Sequence, residues 1–174
     1  MNQNGSACLM SVDGTDFMIQ EQTPFWSGWW SHKFDGPGLR YEVALCIQTG
    51  WIVWINGPFA PGPWPDISIF RDGLKKLLFL GERVEADNGY RGDFAVDAPE
   101  ERCPNLLQHI TKAWCRSRHE TVNKRFKQFN VLKNCFRHDI EKHMICFQAI
   151  VVVTQIALTD GGEPLFDVPY RTCN

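Results

Sequence analysis

Apolar and polar positions alternate with a period of two from residue 7 to 20, the pattern of a half-buried strand. The triplet Asp13-Gly14-Thr15 reads as a turn or bulge that breaks it. Residues 21–38 lose this period and are rich in Trp, Pro and Gly, so an irregular connection is expected there. β-Branched and aromatic runs at 41–47 and 51–55, separated by Gln48-Thr49-Gly50, predict a hairpin. The Pro/Gly-rich stretch 56–65 predicts a rigid loop. Pro65-Asp66 then opens a helix, with Asp66 as its N-cap and Ile67, Phe70, Leu74, Leu77 and Leu78 at helical spacing, ending at Gly81. Residues 83–86 predict a short strand closed by the turn Asp87-Asn88-Gly89, and 91–105 an acidic loop. Two helices follow, 106–134 and 136–158, the first with Val122, Phe126 and Phe129 as its core stripe and the second closed by Asp160-Gly161-Gly162. Strand, hairpin, helix, strand, helix, helix is the order of one mixed α/β domain without repeats.

Composition narrows this only a little. At 174 residues, 44% hydrophobic and 22% charged, the chain suits a compact domain and excludes collagen-like and wholly disordered classes. The net charge of −2 does not by itself announce a nucleic-acid partner. Its distribution says more: nine Lys/Arg against three Asp/Glu lie between Lys112 and His143, whereas Glu82 to Glu101 holds two basic and seven acidic residues. A basic segment facing an acidic remainder suits a protein that holds cations and a polyanion together. Seven cysteines without repeated spacing fit a reducing compartment, not a disulfide framework. The polar residues 1–6 lack a signal core. The run 144–158 is shorter than the roughly twenty residues of a membrane span and reads as a buried helix, so neither secretion nor membrane insertion is expected.

Acids at the ends of expected elements carry the candidate chemistry. Asp13 and Asp87 would meet beyond the strand ends if the first and fourth strands are neighbours, and Glu120 lies on a helix able to cross that edge. Three hard oxygen donors at one point, with positions left for water and a substrate phosphate, describe a Mg²⁺ or Mn²⁺ site. Each acid also has an ordinary reading: a turn former at 13, an Asx-type turn at 87, a solvated helix residue at 120. Arg116, Glu120, Asn123, Lys124 and Lys127 share one helical face. That face could be an ion-pair ladder, or could present Glu120 to a metal while Arg116, Lys124 and Lys127 hold DNA phosphates.

These residues resemble the catalytic motifs of DDE superfamily endonucleases, the Harbinger-type transposases and their bacterial insertion-sequence relatives. Val12-Asp13-Gly14-Thr15 resembles the first motif, and Ala86-Asp87-Asn88-Gly89-Tyr90 the second, an Asp-x-Gly-Tyr. Arg116-x3-Glu120-x6-Lys127 is similar to the third, usually written Tyr-x2-Arg-x3-Glu-x6-Lys. Gly62-Pro63-Trp64-Pro65-Asp66 resembles the Gly-Ser-x-x-Asp element before the connecting helix, and Gly162-Glu163-Pro164-Leu165-Phe166 the end of such domains. The resemblance spans about residues 11–166.

It implies a ribonuclease-H-like fold, a mixed central sheet flanked by helices, as one catalytic domain over residues 1–174 with its core at about 8–166. Asp13, Asp87 and Glu120 become the metal-binding triad of a two-metal nuclease or transposase core that cleaves DNA phosphodiester bonds. Asp66 is a further possible ligand, although N-capping explains it without metal. DNA is the implied partner, with a separate DNA-recognition protein or further copies of the chain as possible others, in the nucleus or the cytoplasm. The alternative is an inactive domesticated domain that binds DNA or protein. Asp16 and Ala113 depart from the family pattern, which has His or an aromatic and Tyr there, Pro63 replaces its Ser, and no N-terminal recognition domain is expected.

Two other groups compete for attention. Cys135, His138 and His143, with Cys115 and His119 upstream, are soft-metal ligands without the paired cysteine spacing of a zinc site. Cys8, Cys46 and Cys146 read as inert core thiols. Trp26, Trp29 and Trp30 could stack on unpaired bases or simply pack the loop. Trp51 and Trp54 read as strand residues of the hydrophobic layer, and Trp64 as a brace for the loop before Asp66.

Overall fold

The computed structural model describes residues 8–98 and 106–160. They form a six-stranded mixed sheet with helices against both faces. Strand β1 (Cys8–Met18) lies at its centre, antiparallel to β3 (Gly36–Cys46) and parallel to β5 (Arg83–Ala86). β6 (Val96–Asp97) continues the sheet beyond β5. β2 (Trp30–Ser31) and β4 (Ile52–Phe59) both pair with the outer edge of β3. A short helix α1 (Asp66–Asp72) and a 3-10 turn (Leu74–Leu77) connect β4 to β5. The described residues end in α2 (Leu106–Phe126), α3 (Asn130–Lys133) and α4 (Ile140–Thr159).

Side-chain alternation assigns the two faces. Phe17, Tyr41, Val43 and Leu45 point one way and pack with Val122 and Phe126 of α2, Leu132 of α3, and Phe147, Ile150 and Val151 of α4. Val12, Ala44, Val84, Ala86 and Val96 point the other way, against Phe70 of α1, Leu74 and Tyr90. In the larger core Phe147 meets Phe17, Tyr41 and Phe126 at ring-centroid distances of 5.5, 4.1 and 5.4 Å, joining both long helices to the two central strands.

Several local expectations are corrected. β1 is not broken at Asp13-Gly14-Thr15: these residues face Val43, Glu42 and Tyr41 in an uninterrupted ladder, so pairing overrides their turn preference. The stretch 21–38 contains a 3-10 turn (Ser27–Trp29), β2 and the start of β3. β4 runs on through Gly57-Pro58. Proline is tolerated because this is an edge strand, and Gly57 has φ +135°, a conformation suited to glycine. α1 ends at Asp72 and continues only as the 3-10 turn. β6 arises within the stretch read as an acidic loop. α2 ends at Phe126, where Gln128 N–H and Phe129 N–H turn back to the Arg125 and Phe126 carbonyls, and Phe129 leaves the core stripe for the surface. α4 begins at Ile140, not at Phe136, which instead packs in the core. Residues 99–105 of the acidic loop and the motif at 162–166 lie outside the described residues.

Candidate active site

The parallel pairing of β1 and β5 ends at Val12 opposite Ala86. The next residues are Asp13 and Asp87, so two acids far apart in sequence emerge side by side from neighbouring strands, which lie roughly 4.8 Å apart. Asp87 opens a 3-10 turn (Asn88–Tyr90), its Oδ1 accepting from Gly89 N–H at 2.8 Å. The Asx-turn reading at 87 is therefore met, with the second carboxylate oxygen left over.

Asp66 is the third member of this cluster, and its capping role is corrected. Pro65 occupies the N-cap position of α1, and no side-chain cap bond forms. The Asp66 carboxylate turns instead toward the sheet. A Cβ on Gly14 would overlap Asp66 Oδ1, and one on Gly89 would lie 3.2 Å from Asp66 Oδ2 and 3.0 Å from Asp87 Oδ1. The two glycines of the motifs thus make room for the carboxylate where β1 and β5 cease to pair. Gly14→Ala is expected to cost about 1–3 kcal/mol by overpacking. Most of that loss should return in Gly14→Ala/Asp66→Ala, as measured by denaturant unfolding in a double-mutant cycle.

Arg40 and Asp16 hold the cluster from behind, a pair that sequence reasoning missed. Arg40 donates to Asp16 through Nε at 2.8 Å and Nη2 at 2.9 Å, and Ser31 Oγ donates to the same carboxylate at 2.5 Å. The remaining Arg40 nitrogen, Nη1, bonds the Trp64 carbonyl at 3.3 Å and lies 3.4 Å from Asp66 Oδ1. Lys33 bonds the Gly14 carbonyl. The signal for this arrangement was the charged pair Asp16/Arg40 on strands that pair directly in register.

The electrostatics follow from burial and crowding. Burial pushes the Asp13 carboxyl up to about 6, with Lys33 opposing and Asp87 and Asp66 reinforcing the rise. Asp66 is also raised, first by burial and against the pull of Arg40 and Lys33. Its Oδ1 is buried without a hydrogen-bond partner. Beneath the cluster, Glu42 is fully buried, accepts from Trp54 Nε1 at 3.0 Å, and is pushed by burial to about 7. Tyr90 is likewise fully buried, its hydroxyl unpartnered, and burial with Glu42 and the aspartates raises it well above the usual phenol range.

Glu120 stands apart from these contacts. α2 crosses β1 on the face shared by Asp13 and Val43, where His119 Nε2 and Ser11 Oγ lie 2.9 Å apart. The adjacent Glu120 is exposed, and none of the interactions that define the aspartate cluster reaches it. Lys124 is exposed on the same helix. Lys127, one residue beyond its end, places Nζ 6.0 Å from the Phe17 ring centre. Arg116 lies within α2, in a stretch whose side chains are outside the described ones.

The zinc-like set is dispersed. His143 is buried in the aromatic core with Nδ1 2.8 Å from Tyr41 Oη, while Cys135 is exposed. Trp26 and Trp29 meet edge to face at 5.4 Å, with Phe25, Trp26 and Trp30 exposed around them. Gly62 N–H bonds the Gly28 carbonyl, tying this aromatic loop to the segment that leads into Asp66. Trp64 packs on Phe59 at 5.1 Å, Trp54 is half-buried, and Trp51 is exposed. Cys8 is half-buried rather than core. Its thiol, Glu85 and Asp97 are the one group among the described residues whose donor atoms all lie within 4.8 Å of one another, so the aspartate oxygens are more widely spread. That group has no buried orphan atom, and its members are engaged within the fold. Comparison with protein-family models, with curated proteins and with solved structures finds no match to this chain.

Proposed function

We propose that the chain is a ribonuclease-H-like, metal-dependent nuclease core of the DDE type, with DNA as its substrate. The observation that carries the reading is the gathering of Asp13, Asp66 and Asp87 where the pairing of β1 with β5 ends, around two glycines that leave room for carboxylates. A strand order with an antiparallel hairpin on one side of β1 and parallel strands on the other is the order such a fold requires. The acids come from three separate segments, and burial first, with neighbouring carboxylates adding to it, raises Asp13 and Asp66. Carboxyls shifted by burial and by specific charged neighbours are a mark of functional sites.

The donor set fits Mg²⁺ or Mn²⁺: hard carboxylate oxygens, one of them buried without a hydrogen-bond partner. Asp13 and Asp87 would hold the ions, Asp66 would add a ligand, and Glu120 would complete the set from α2. Bound divalent ions supply activation of a water or DNA hydroxyl and stabilisation of the leaving oxygen. Carboxylates spread beyond a single-ion cage suit ligands shared between two ions about 3.5–4 Å apart. Arg40 and Lys33 hold the acids in place before any cation arrives. Lys124 and Lys127, with Arg116, would take DNA phosphates along the outer side of α2.

A second reading, an inactive domain that binds DNA or protein, draws on one observation: Arg40 and Lys33 already offset the charge of the aspartates. Nicking of supercoiled plasmid in millimolar Mn²⁺ separates the two. The nuclease reading expects relaxed circles from the wild-type chain and none from Glu120→Gln. Intact plasmid with the wild type, together with an unchanged melting temperature in Mn²⁺, leaves only the binding module. Full nicking by Glu120→Gln removes Glu120 from the site.

A further inference from the structure

We propose that the outer face of α4 is a self-association surface, on which a second copy of this chain docks its own α4 antiparallel about a two-fold axis. The inner face of the helix is fully committed. His143, Phe147, Ile150, Val151 and Thr154 are buried, and Gln155 Oε1 accepts from Ile52 N–H of β4 at 2.7 Å. The opposite face should then be polar, and it is not. Ile145, Val152, Val153 and Ile156 are between 51% and 62% exposed, and Ala149 completes the stripe. A helix apolar on both faces is one that buries both.

The occupant follows from symmetry and charge. Lys142 and Asp160 flank the stripe at opposite ends, and their separation is five turns at about 3.6 residues per turn, which puts them on one line along the helix. A two-fold axis places each residue opposite its counterpart in reversed order. The midpoint of the stripe, between Ile145 and Ile156, falls between residues 150 and 151; the midpoint of Lys142 and Asp160 falls at 151. One axis therefore superimposes apolar stripe on apolar stripe and sets Lys142 of each copy opposite Asp160 of the other. Ala149 sits near that axis, where a small side chain permits close approach of the helices. Antiparallel packing also opposes the two helix dipoles favourably. Lys142 now pairs with Asp139 at 2.9 Å, but both side chains are largely exposed, so the ammonium can turn to a second acceptor at little cost.

α4 is also long and apolar enough to cross a membrane. A bilayer would have to accept a helix joined to the sheet through the Tyr41–His143 contact and the Phe147 ring cluster. A second protein surface requires no such loss.

Sedimentation velocity on the full chain tests the pairing, over concentrations from about 1 to 200 µM, since one helix pair lies at the small end of stable interfaces. A concentration-dependent monomer–dimer equilibrium is expected. Val152→Asp, or independently Ile145→Asp, should raise the dissociation constant at least about tenfold by burying a charge, with circular dichroism unchanged because both sites are on the surface. Lys142→Asp and Asp160→Lys should each weaken the dimer about three- to tenfold, and the two together should restore it. Each reversal places the charge that the local helix end favours, so loss of helix is not the cause of weakening. A chain that stays monomeric throughout overturns the proposal. So does a dimer indifferent to Val152→Asp and Ile145→Asp, a charge swap that fails to restore pairing, or binding to phosphatidylcholine vesicles by a protein that is monomeric in solution.

Discussion

Asp13→Asn is expected to make the protein more stable at pH 7.5, by up to about 3 kcal/mol, while removing any stabilisation by Mn²⁺. The sign comes from linkage. Asp13 in the folded state titrates at about 6, above its ordinary 3.8, chiefly because it is buried, with Asp87 and Asp66 adding to the rise against Lys33. The folded protein therefore binds its proton more tightly than the unfolded chain does. The contribution of this group is fully present below pH 3.8 and is lost as pH rises through 6, so at pH 7.5 the ionised carboxylate is a cost that an amide avoids. A structural ion pair with Lys33 would give the opposite sign, a loss on substitution. Urea unfolding at pH 7.5, with and without millimolar Mn²⁺, reads both parts. A wild type stabilised by Mn²⁺ beside a variant that is more stable in its absence and indifferent to the ion is the expected pattern. A destabilised Asp13→Asn makes Asp13 a structural residue. The trade itself, stability given up to bury ionisable carboxylates, is the common cost of a functional cluster.

The parts of this site readable from sequence are those governed by local pattern. Period-two runs or β-branched residues followed by Gly14 and Gly89 read as strands ending at both acids. This holds for Asp87, whereas Asp13 lies within β1, which leaves β5 there but stays paired with β3 as far as Met18. Asp66 was legible as a residue but not in its role. A proline followed by an aspartate at a helix start resembles a cap, and only the long-range approach of Gly14 shows the carboxylate facing the sheet. Asp16 and Arg40 were missed because their meaning lies in the β1–β3 register, which a single sequence does not fix. The break at residues 127–129 was invisible for the same reason: the helical period continues through Phe129, while the chain turns to bring Leu132 and Phe136 into the core. Strand β6, two residues long, has too short a pattern to stand out from its acidic surroundings.

Between pH 7 and pH 4 the wild-type protein is expected to hold a nearly level stability, and Asp13→Asn/Glu42→Gln to convert that plateau into a steep fall toward acid. Two pairs of buried groups act in opposition. His119 and His143 are each lowered by burial from 6.5 to about 4, so both are neutral in the folded protein at neutral pH. Their contribution is complete above pH 6.5 and is lost as pH falls toward 4, roughly 3 kcal/mol for each ring. His143 makes the loss concrete: fully buried, stacked on Tyr41 at 5.5 Å and with Nε2 lacking a partner, it has nowhere to place a second proton. Asp13 and Glu42 work the other way. Their carboxyls, raised to about 6 and about 7, add stability as pH falls through those values toward 3.8 and 4.5. Each contributes about 3 kcal/mol over nearly the same window, so the four changes offset one another. In the double variant the histidines are opposed only by Asp66, also raised by burial, and the difference in unfolding free energy between pH 7.5 and pH 4.5 should reach a few kcal/mol. Glu42→Gln keeps an acceptor for Trp54 Nε1, so the comparison is not confounded by an orphaned indole. Urea midpoints at the two pH values decide it: parallel curves for wild type and double variant would mean that Glu42 and Asp13 are already ionised in the folded protein at pH 4.5.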